Sequence, residues 1–387
     1  MEKEKVILIG SNNKNTLGKA RSFGEAGYMP IVIWVGPRYN LVRYCKYVKE
    51  SYEVQTAEQG INLILKTFAS PSKKTLLSAE GDAIVAALDA HYNQLNEFFY
   101  FYNGGAEGRL LYYLEKENLC KAAEACGFRV PKSEAVKVGE LPRLVKYPIF
   151  TKAADSFDLG WKSSAHICYN EDDLISVYSH LKCDTILIQE YIPKKNEFML
   201  QGISFHGGEE VYLPIQGSFY RLPNGEYGSY GYFEEYKSGP ELFNQLKKLL
   251  SQIKYSGIFE VEFIIAEDGT LYFLEINFRD TMWNHAFTNM GVNLNAIWAK
   301  SEIKGKLCIG ESKISKSPSR FMNENIDFDR YVKTGKISLQ KWIKDFYSCD
   351  THMLWCKDDQ RPFRKYLILI LLRRLEKIGI IKGNYVS

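Results

Sequence analysis

EVEFIIAEDGTLYFLEINFR, the sequence of residues 260 to 279, contains two strand-like runs on either side of Asp268 and Gly269. An Asp-Gly pair favours a two-residue hairpin turn, because both residues tolerate a positive φ angle. A consistently apolar face of such a hairpin is expected to point towards the core, and this fixes the register of the strands. The apolar face pairs Val261 with Ile276, Phe263 with Leu274, and Ile265 with Tyr272.

The polar face of the hairpin places Glu262 across from Glu275, and Glu260 across from Asn277. Opposed residues have Cβ atoms about 5 Å apart, so two carboxylates there repel each other unless a positive charge lies between them. A hard divalent cation removes that repulsion, and Asn277 adds a neutral oxygen ligand. The alternative is an ordinary surface cluster in which Arg279 or a lysine neutralises the acids.

This segment resembles the metal-binding hairpin of the ATP-grasp superfamily, in which two acids and an asparagine hold two magnesium ions. By that resemblance, Glu262, Glu275 and Asn277 bind Mg²⁺, or Mn²⁺ in its place, together with ATP. The resemblance covers roughly residues 115 to 300. It implies an α+β ATP-grasp fold with a lid subdomain, most similar to the branch of D-aspartate ligase and carbamoyl-phosphate-synthase-like proteins.

Further residues match the ATP-grasp pattern in the expected order, namely Lys121, Lys152, Gln189, Glu190, Ile192 and Glu197. By resemblance, Lys121 is the lysine on the helix that enters the lid, and Lys152 is the lid-strand lysine that contacts the α- and β-phosphates. The hinge at residues 189–192 holds the adenine edge with its main chain, and Glu197 accepts hydrogen bonds from the ribose hydroxyls.

The resemblance implies an ATP-dependent carboxylate–amine ligase that acts through an acyl phosphate and releases ADP and phosphate. Arg279, at the rim of the metal site, is expected to stabilise charge on the transferring phosphoryl group and on the later oxyanion. Arg221 and His285 are candidates for gripping the substrate carboxylate.

Two other functions stay open at this point. The family usually places several glycines over the phosphates, whereas the loop after Lys152 has only Gly160, with Ser156, Lys162 and Ser163 as substitute contacts. Such a loop permits a nucleotide-binding module without catalysis. The second alternative is an NAD-dependent oxidoreductase that uses the N-terminal part of the chain.

The N-terminal part is predicted to form a Rossmann-like α/β layer of the kind that precedes the ATP-grasp fold. Strands are predicted at residues 6–10, 31–35 and 76–78, with a helix at 17–26 and a helical region up to about residue 102. The first turn lacks a GxGxxG pattern, which argues against dinucleotide binding. We expect an α/β domain at residues 1–115, an ATP-grasp domain at 116–300 with its lid at about 128–192, and a C-terminal helical extension of unknown role at 301–387.

Composition limits the partners. The chain has 387 residues and a formal net charge of +4, with Lys and Arg scattered among the acids. This argues against nucleic acid and favours small-molecule partners. The resemblance implies that these are a carboxylate and an amine substrate. Eight cysteines without a CxxC pair or a signal peptide favour reduced thiols in the cytoplasm. No stretch approaches the roughly 20 apolar residues of a membrane span, although residues 366–372 and the arginines after them fit either a packed helix or one resting on a membrane or partner. Homodimer formation stays open.

Overall fold

The computed structural model describes residues 4–153, 166–181, 183–223, 227–310 and 312–380. A five-stranded parallel sheet forms the N-terminal part. Its strands are β1 (Lys5–Gly10), β2 (Met29–Val35), β3 (Glu50–Val54), β4 (Thr75–Ala79) and β5 (Phe99–Tyr100), in the order β3-β2-β1-β4-β5. This order changes direction between β1 and β4, which opens a crevice at the carboxyl ends of these strands. The predicted Rossmann-like layer is confirmed.

Four helices accompany this sheet, namely α1 (Asn13–Glu25), α2 (Ala57–Phe68), α3 (Asp82–Ala90) and the short α4 (Tyr92–Leu95). Helix α1 begins at Asn13 because the Asn12 side chain accepts hydrogen bonds from the backbone N–H groups of Lys14 and Asn15. The prediction of helix up to residue 102 was wrong. Two aromatic residues at 99 and 100 pair with β4 instead, as aromatic residues commonly do in strands.

A smaller antiparallel sheet matches the position expected for the lid. It contains β6 (Ser133–Lys137), β7 (Ile149–Ala153), β8 (His166–Cys168) and β9 (Thr185–Glu190), in the order β6-β9-β7-β8, with helix α7 (Glu171–Tyr178) against it. Helices α5 (Arg109–Leu114) and α6 (Lys116–Ala125) precede it in the chain. The apolar side chains of this sheet and of α7 form a cluster separate from the main core, so the lid is a packing unit of its own.

The largest sheet has seven strands in the order β14-β13-β10-β11-β12-β15-β16. They are β10 (Lys194–Phe205), β11 (Glu210–Arg221), β12 (Tyr230–Glu235), β13 (Gly257–Ala266), β14 (Leu271–Asn277), β15 (Ser319–Met322) and β16 (Thr351–His352). Helix α8 (Pro240–Ile253) lies between β12 and β13 in the chain, and helices α9 (Asn284–Asn289) and α10 (Leu294–Lys304) follow β14. One continuous apolar core joins this sheet to the N-terminal layer.

The C-terminal region is not only helical, contrary to the prediction for residues 301–387. Its strands β15 and β16 extend the largest sheet, whereas α11 (Glu324–Asp327), a π-helical turn (Phe328–Val332), α12 (Leu339–Tyr347) and α13 (Arg361–Lys377) form its helical part. Buried Arg21 of α1 ties this region to the N-terminal layer. Its Nε donates to Asp359 at 3.1 Å, and its Nη2 donates to the Leu354 carbonyl at 2.9 Å. No described helix is long and apolar enough to cross a membrane.

The predicted register of the β13–β14 hairpin is correct at its polar end and wrong near its turn. Glu262 pairs with Glu275 and Glu260 with Asn277, as predicted, but Phe263 pairs with Phe273 rather than with Leu274. The turn has three residues instead of two, because Ala266 bonds to Thr270 and Gly269 takes a φ of +85°. A bulge at Leu274 then shifts the register back by one residue. The three-residue turn and the bulge shift the pairing by one residue in opposite directions, so Glu262 still lies opposite Glu275.

Candidate active site

A cavity of about 700 Å³ lies between the lid sheet and the β13–β14 hairpin. Residues from both sheets and from the entering helix α6 form its wall. Eight of the predicted site residues line it, namely Lys152, Gln189, Glu190, Ile192, Glu197, Glu262, Glu275 and Asn277. The fold therefore brings together, around one cavity, positions that are up to 125 residues apart in the sequence (152 to 277).

The Asn277 side chain organises the acids of the hairpin. Its Nδ2 donates to Oε1 of Glu262 at 3.1 Å and to Oε1 of Glu260 at 3.3 Å. Glu260 is fully buried behind the cavity wall and also accepts from Oγ1 of Thr281 at 2.9 Å. Glu260 thus supports Asn277 and Glu262 from behind, whereas Glu262, Glu275 and Asn277 face the cavity.

The hairpin acids form an uncompensated negative cluster. Burial raises the pKa of Glu262 well above its usual value, and repulsion from the Glu275 and Glu260 carboxylates raises it further. Burial likewise raises the pKa of Glu260, to about 7. Within the described ranges, no Lys, Arg or His forms an ion pair with any of these acids. The hairpin therefore does not contain the ordinary salt-bridge cluster that was the alternative.

The donor set suits a hard divalent cation. Among the described residues, no three His, Cys, Asp or Glu side chains are grouped to hold a metal ion, so the candidate ligands are the carboxylates of Glu262 and Glu275 and the amide of Asn277. No described residue donates a hydrogen bond to Oδ1 of Asn277, which leaves this oxygen available. Two unpaired carboxylates and a neutral oxygen are ligands that Mg²⁺ accepts alongside water and phosphate oxygens.

Two lysines contribute positive charge on the opposite side of the cavity. Lys152 is buried on β7, and its Nζ donates to Oε1 of Gln189 at 3.2 Å. Burial, and after it the nearby charge of Lys116, lowers the pKa of Lys152 to about 8. Lys116 is the first residue of α6 and also lines the cavity. A bound anion would favour the charged form of Lys152.

Lys121 lies outside the cavity, on the exposed face of α6. Its side chain is 70% exposed, and its Nζ forms an ion pair with Glu117 one helical turn earlier, at 2.6 Å. Leu119 lines the cavity and lies three residues after Lys116, so these two share a helix face. The helix named by the resemblance reaches the cavity, but Lys121 lies on its solvent face.

The hinge between the lid and the largest sheet contains a backbone N–H group that can donate to a ligand. Glu190 N–H bonds to the Lys132 carbonyl at 2.8 Å, and Tyr191 N–H bonds to the Pro148 carbonyl at 3.3 Å. Ile192 lines the cavity, and no described residue accepts a hydrogen bond from its backbone N–H. Because a buried N–H group without a partner is costly, this group is placed for a ligand acceptor.

Glu197 lies at the cavity wall beyond the hinge. Burial raises its pKa, whereas its ion pair with Lys194, at 2.7 Å, opposes the rise. The ion pair holds one carboxylate oxygen of Glu197, because Lys194 Nζ donates to Oε1. No described residue donates to the other oxygen, which leaves it to accept from a ligand hydroxyl.

The two predicted substrate residues lie elsewhere. Arg221 is buried between Asp327, at 3.0 Å, and Asp345, at 2.7 Å, both from the C-terminal region. His285 is buried against Glu25 of α1, with 3.0 Å between His285 Nε2 and Glu25 Oε1. Neither side chain lines the cavity. Each side chain instead joins two elements of the fold through an ion pair.

Arg279 does not line the cavity itself, but it forms hydrogen bonds with a residue that does. Its Nε donates to Oδ1 of Asp82 at 2.9 Å, and its Nη2 donates to Oδ2 at 3.2 Å. Asp82 is the first residue of α3, at the carboxyl end of β4, and lines the cavity. Sequence reasoning missed Asp82, although an acid that opens a helix after a buried strand is a recognisable signal.

The crevice of the N-terminal sheet contains a carboxylate. The backbone N–H groups of Ser11 and Asn12 both donate to Oε2 of Glu80 at 2.9 Å. These groups at the start of α1 are the ones that would receive a dinucleotide pyrophosphate in a Rossmann domain. Their use by Glu80 argues against the NAD alternative.

The predicted phosphate loop is outside the described residues. Ser156, Gly160, Lys162 and Ser163 all fall within 154–165.

Three parts together make up the ATP-grasp fold predicted from the hairpin. They are a Rossmann-like layer, a small antiparallel lid, and a large, mostly antiparallel sheet whose edge hairpin carries the paired acids. The N5-carboxyaminoimidazole synthetase of Staphylococcus aureus complexed with ADP superposes with a TM-score of 0.66 and 17% identity, over 87% of this chain and 86% of that one. The L-amino acid ligase of Bacillus licheniformis superposes with a TM-score of 0.62 and 13% identity, over 81% and 78%. The carboxyaminoimidazole ribonucleotide synthase of Aspergillus clavatus complexed with ATP gives 0.61 and 14%, over 83% and 82%.

No protein-family model matches the chain, and no curated protein sequence matches it. At these identities the structural similarity establishes the fold.

Proposed function

We propose that this chain is an ATP-dependent carboxylate–amine ligase. The observation that supports this most is a single cavity with cationic lysines, a free hinge N–H group and two unpaired carboxylates on its wall. The solved structures with this fold that contain ADP or ATP, and those named as synthetases or as an amino acid ligase, support the same reaction class.

The cavity wall suggests one orientation for ATP. The adenine edge accepts from the Ile192 backbone N–H, with Gln189 and Glu190 of the hinge beside it, and the ribose hydroxyls donate to Glu197. The phosphates then extend towards Lys152 and Lys116, which we assign the role first given to Lys121. Glu262, Glu275 and Asn277 would hold Mg²⁺ at the end of the phosphates. When bound, Mg²⁺ supplies positive charge against the β- and γ-phosphate oxygens.

The proposed reaction has two steps. A substrate carboxylate oxygen attacks the γ-phosphorus of ATP while the bond to the β-phosphate oxygen breaks, which gives an acyl phosphate and ADP. The amine then attacks the acyl carbon. Its nitrogen loses a proton, and phosphate departs as the C–O bond breaks. The lysines stabilise phosphate charge in the first step, and enclosure by the lid excludes water that would hydrolyse the acyl phosphate.

The roles of Arg279 and Asp82 follow from their contact. Both Nε and Nη2 of Arg279 donate to Asp82, so we propose that Arg279 positions this carboxylate rather than stabilising an oxyanion itself. Asp82 is then placed to accept a hydrogen bond from the attacking amine. The Asp82→Asn variant should reduce amine-dependent turnover while it leaves ATP affinity unchanged. Weaker ATP binding in this variant would instead assign Asp82 to the nucleotide.

The test of the function is amine-dependent release of phosphate from ATP, measured with a panel of amino acids and other carboxylates. Wild-type protein should release phosphate only when both a carboxylate and an amine are present. The Glu275→Gln variant keeps the shape of the side chain but removes its charge, and should lose metal-dependent turnover. Unchanged turnover in this variant would contradict the proposed ligand set, and ATP binding without turnover under any condition would favour a binding module.

The compartment and the assembly of the protein are also proposals. All eight cysteines are free thiols, which suits the reducing cytoplasm where ATP is supplied. Light scattering on the purified chain will decide between a monomer and a homodimer.

A further inference from the structure

The C-terminal helix α13 exposes apolar side chains that nothing in the described chain covers. Leu367 and Ile368 are 49% and 48% exposed, and Leu371 and Ile378 are 56% and 68% exposed. The opposite side of α13 is the one that packs on the protein, with Pro362 and Leu369 buried. A helix that is apolar on two sides needs a cover for the second side.

The exposed apolar residues form one stripe. With 3.6 residues per turn, Leu367 and Leu371 fall within a narrow sector of the helix, and Ile378, the residue after its end, continues that sector. Ile368 lies about 60° to one side of Leu371. Contiguous exposed apolar surface of this kind marks an interaction site more often than scattered single residues do.

Basic residues border this stripe on both sides. By the same periodicity, Arg374 lies along one edge with Lys377 beyond it, and Arg361 and Lys365 lie along the other. A further exposed arginine, Arg364, lies within the stripe between Leu371 and Ile368. The helix Arg361–Lys377 contains six basic residues and one acid, Glu376. The excess of positive charge identifies the kind of partner, because two copies of such a face would repel each other whereas an anionic surface attracts it.

The dimensions of α13 suit a helix that lies on a membrane. Its 17 residues are too few and too charged to span a bilayer. A stripe of Leu and Ile between rows of Arg and Lys places the apolar side chains among the acyl chains and the cations at the level of the headgroups.

We propose that α13 docks the protein on the surface of a membrane that contains anionic lipid. The face consists of Leu367, Ile368, Leu371 and Ile378 with their basic borders. The binding is peripheral and reversible, and it depends on both apolar burial and charge. It is independent of the proposed ligase reaction, because α13 lies in the C-terminal region and none of its residues lines the cavity.

The test is co-sedimentation of the full chain with vesicles. We expect binding to vesicles of equal parts phosphatidylcholine and phosphatidylglycerol, little binding to phosphatidylcholine alone, and release by high salt. The Leu371→Ser, Ile378→Ser double variant should weaken binding about tenfold or more, since it removes apolar surface from the interface. The Arg374→Gln, Lys377→Gln double variant should weaken it about 25-fold, because each basic residue contributes roughly fivefold at an anionic surface.

A matched control uses exposed apolar residues of the lid. Leu144 and Ile175 are 74% and 57% exposed, and the Leu144→Ser, Ile175→Ser variant should bind vesicles as wild type does. All variants should keep the thermal unfolding midpoint of wild type, since the altered side chains are exposed. Absence of binding to anionic vesicles, or equal weakening in the control, overturns the proposal. A wild-type dimer that Leu371→Ser converts to a monomer also overturns it, because a second copy would then cover the face.

Discussion

The choice between Lys116 and Lys121 can be decided with one pair of variants. Lys116 lines the cavity, and its charge lowers the pKa of Lys152. A charge-assisted hydrogen bond to a phosphate contributes about 1.5–3 kcal/mol, so Lys116→Met should weaken ATP binding about 10- to 150-fold. Removing the positive charge of Lys116 should also shift the pKa of Lys152 back towards 10.5. Calorimetric titration with ATP in the presence of Mg²⁺ gives the affinity.

Lys121→Met is the matched control, because it makes the same substitution on the same helix but on the solvent face. Its side chain contacts only Glu117 among the described residues, so ATP affinity should equal that of wild type. Equal losses in the two variants, or a loss in Lys121→Met alone, would refute the placement of α6 and restore the assignment based on the resemblance.

Three further predictions concern charge, register and stability. The pKa of Lys152 is about 8 in the folded protein, and phosphate binds its protonated form, so ATP affinity should fall as the pH rises through 8. Lys152→Arg, which stays charged, should remove this pH dependence in calorimetric titrations. Phe273→Ala should lower the free energy of unfolding in urea by about 3–5 kcal/mol because Phe273 is a core residue, whereas Leu274→Ala should mainly weaken ATP binding. Equal effects of these two variants on stability would contradict the bulge. Arg21→Met should destabilise the protein by about 3–5 kcal/mol in the same assay, since it leaves buried Asp359 unpaired, and a cost below about 1 kcal/mol would contradict the described ion pair.

Much of the fold could be predicted because local pattern and tertiary environment agree. The strand predicted at 31–35 is Met29–Val35, and the strand predicted at 76–78 is Thr75–Ala79. The strand Phe99–Tyr100 was missed because two residues carry too little pattern, and only pairing with β4 makes them a strand. The strands at 319–322 and 351–352 were missed for the same reason.

The site was predictable where its geometry is local. Whether Glu262 and Glu275 lie opposite each other depends on a single hairpin. The alternation of polar and apolar residues along its two strands was therefore enough to predict the pairing. Arg221 and His285 could not be judged in that way, because their partners Asp327 and Glu25 are 106 and 260 residues away. From the sequence alone, a polar residue that binds substrate looks the same as one that forms a buried ion pair. The two can be distinguished only when the partner in the ion pair is known. The same limit hid Asp82, which reaches the cavity from another sheet.

The three-residue turn and the bulge at Leu274 bear on how this hairpin can change in evolution. Pairing in the ladder is counted from Ala266 and Thr270, so shortening the turn between them would leave Glu262 opposite Glu275. Loss of Leu274 would remove the bulge and also keep the acids opposed. Loss of a paired residue between the turn and the acids, such as Ile264, would instead move the acids out of register. A chain that has changed the length of its turn can therefore keep the proposed metal site, whereas one that has lost a paired residue should have lost it.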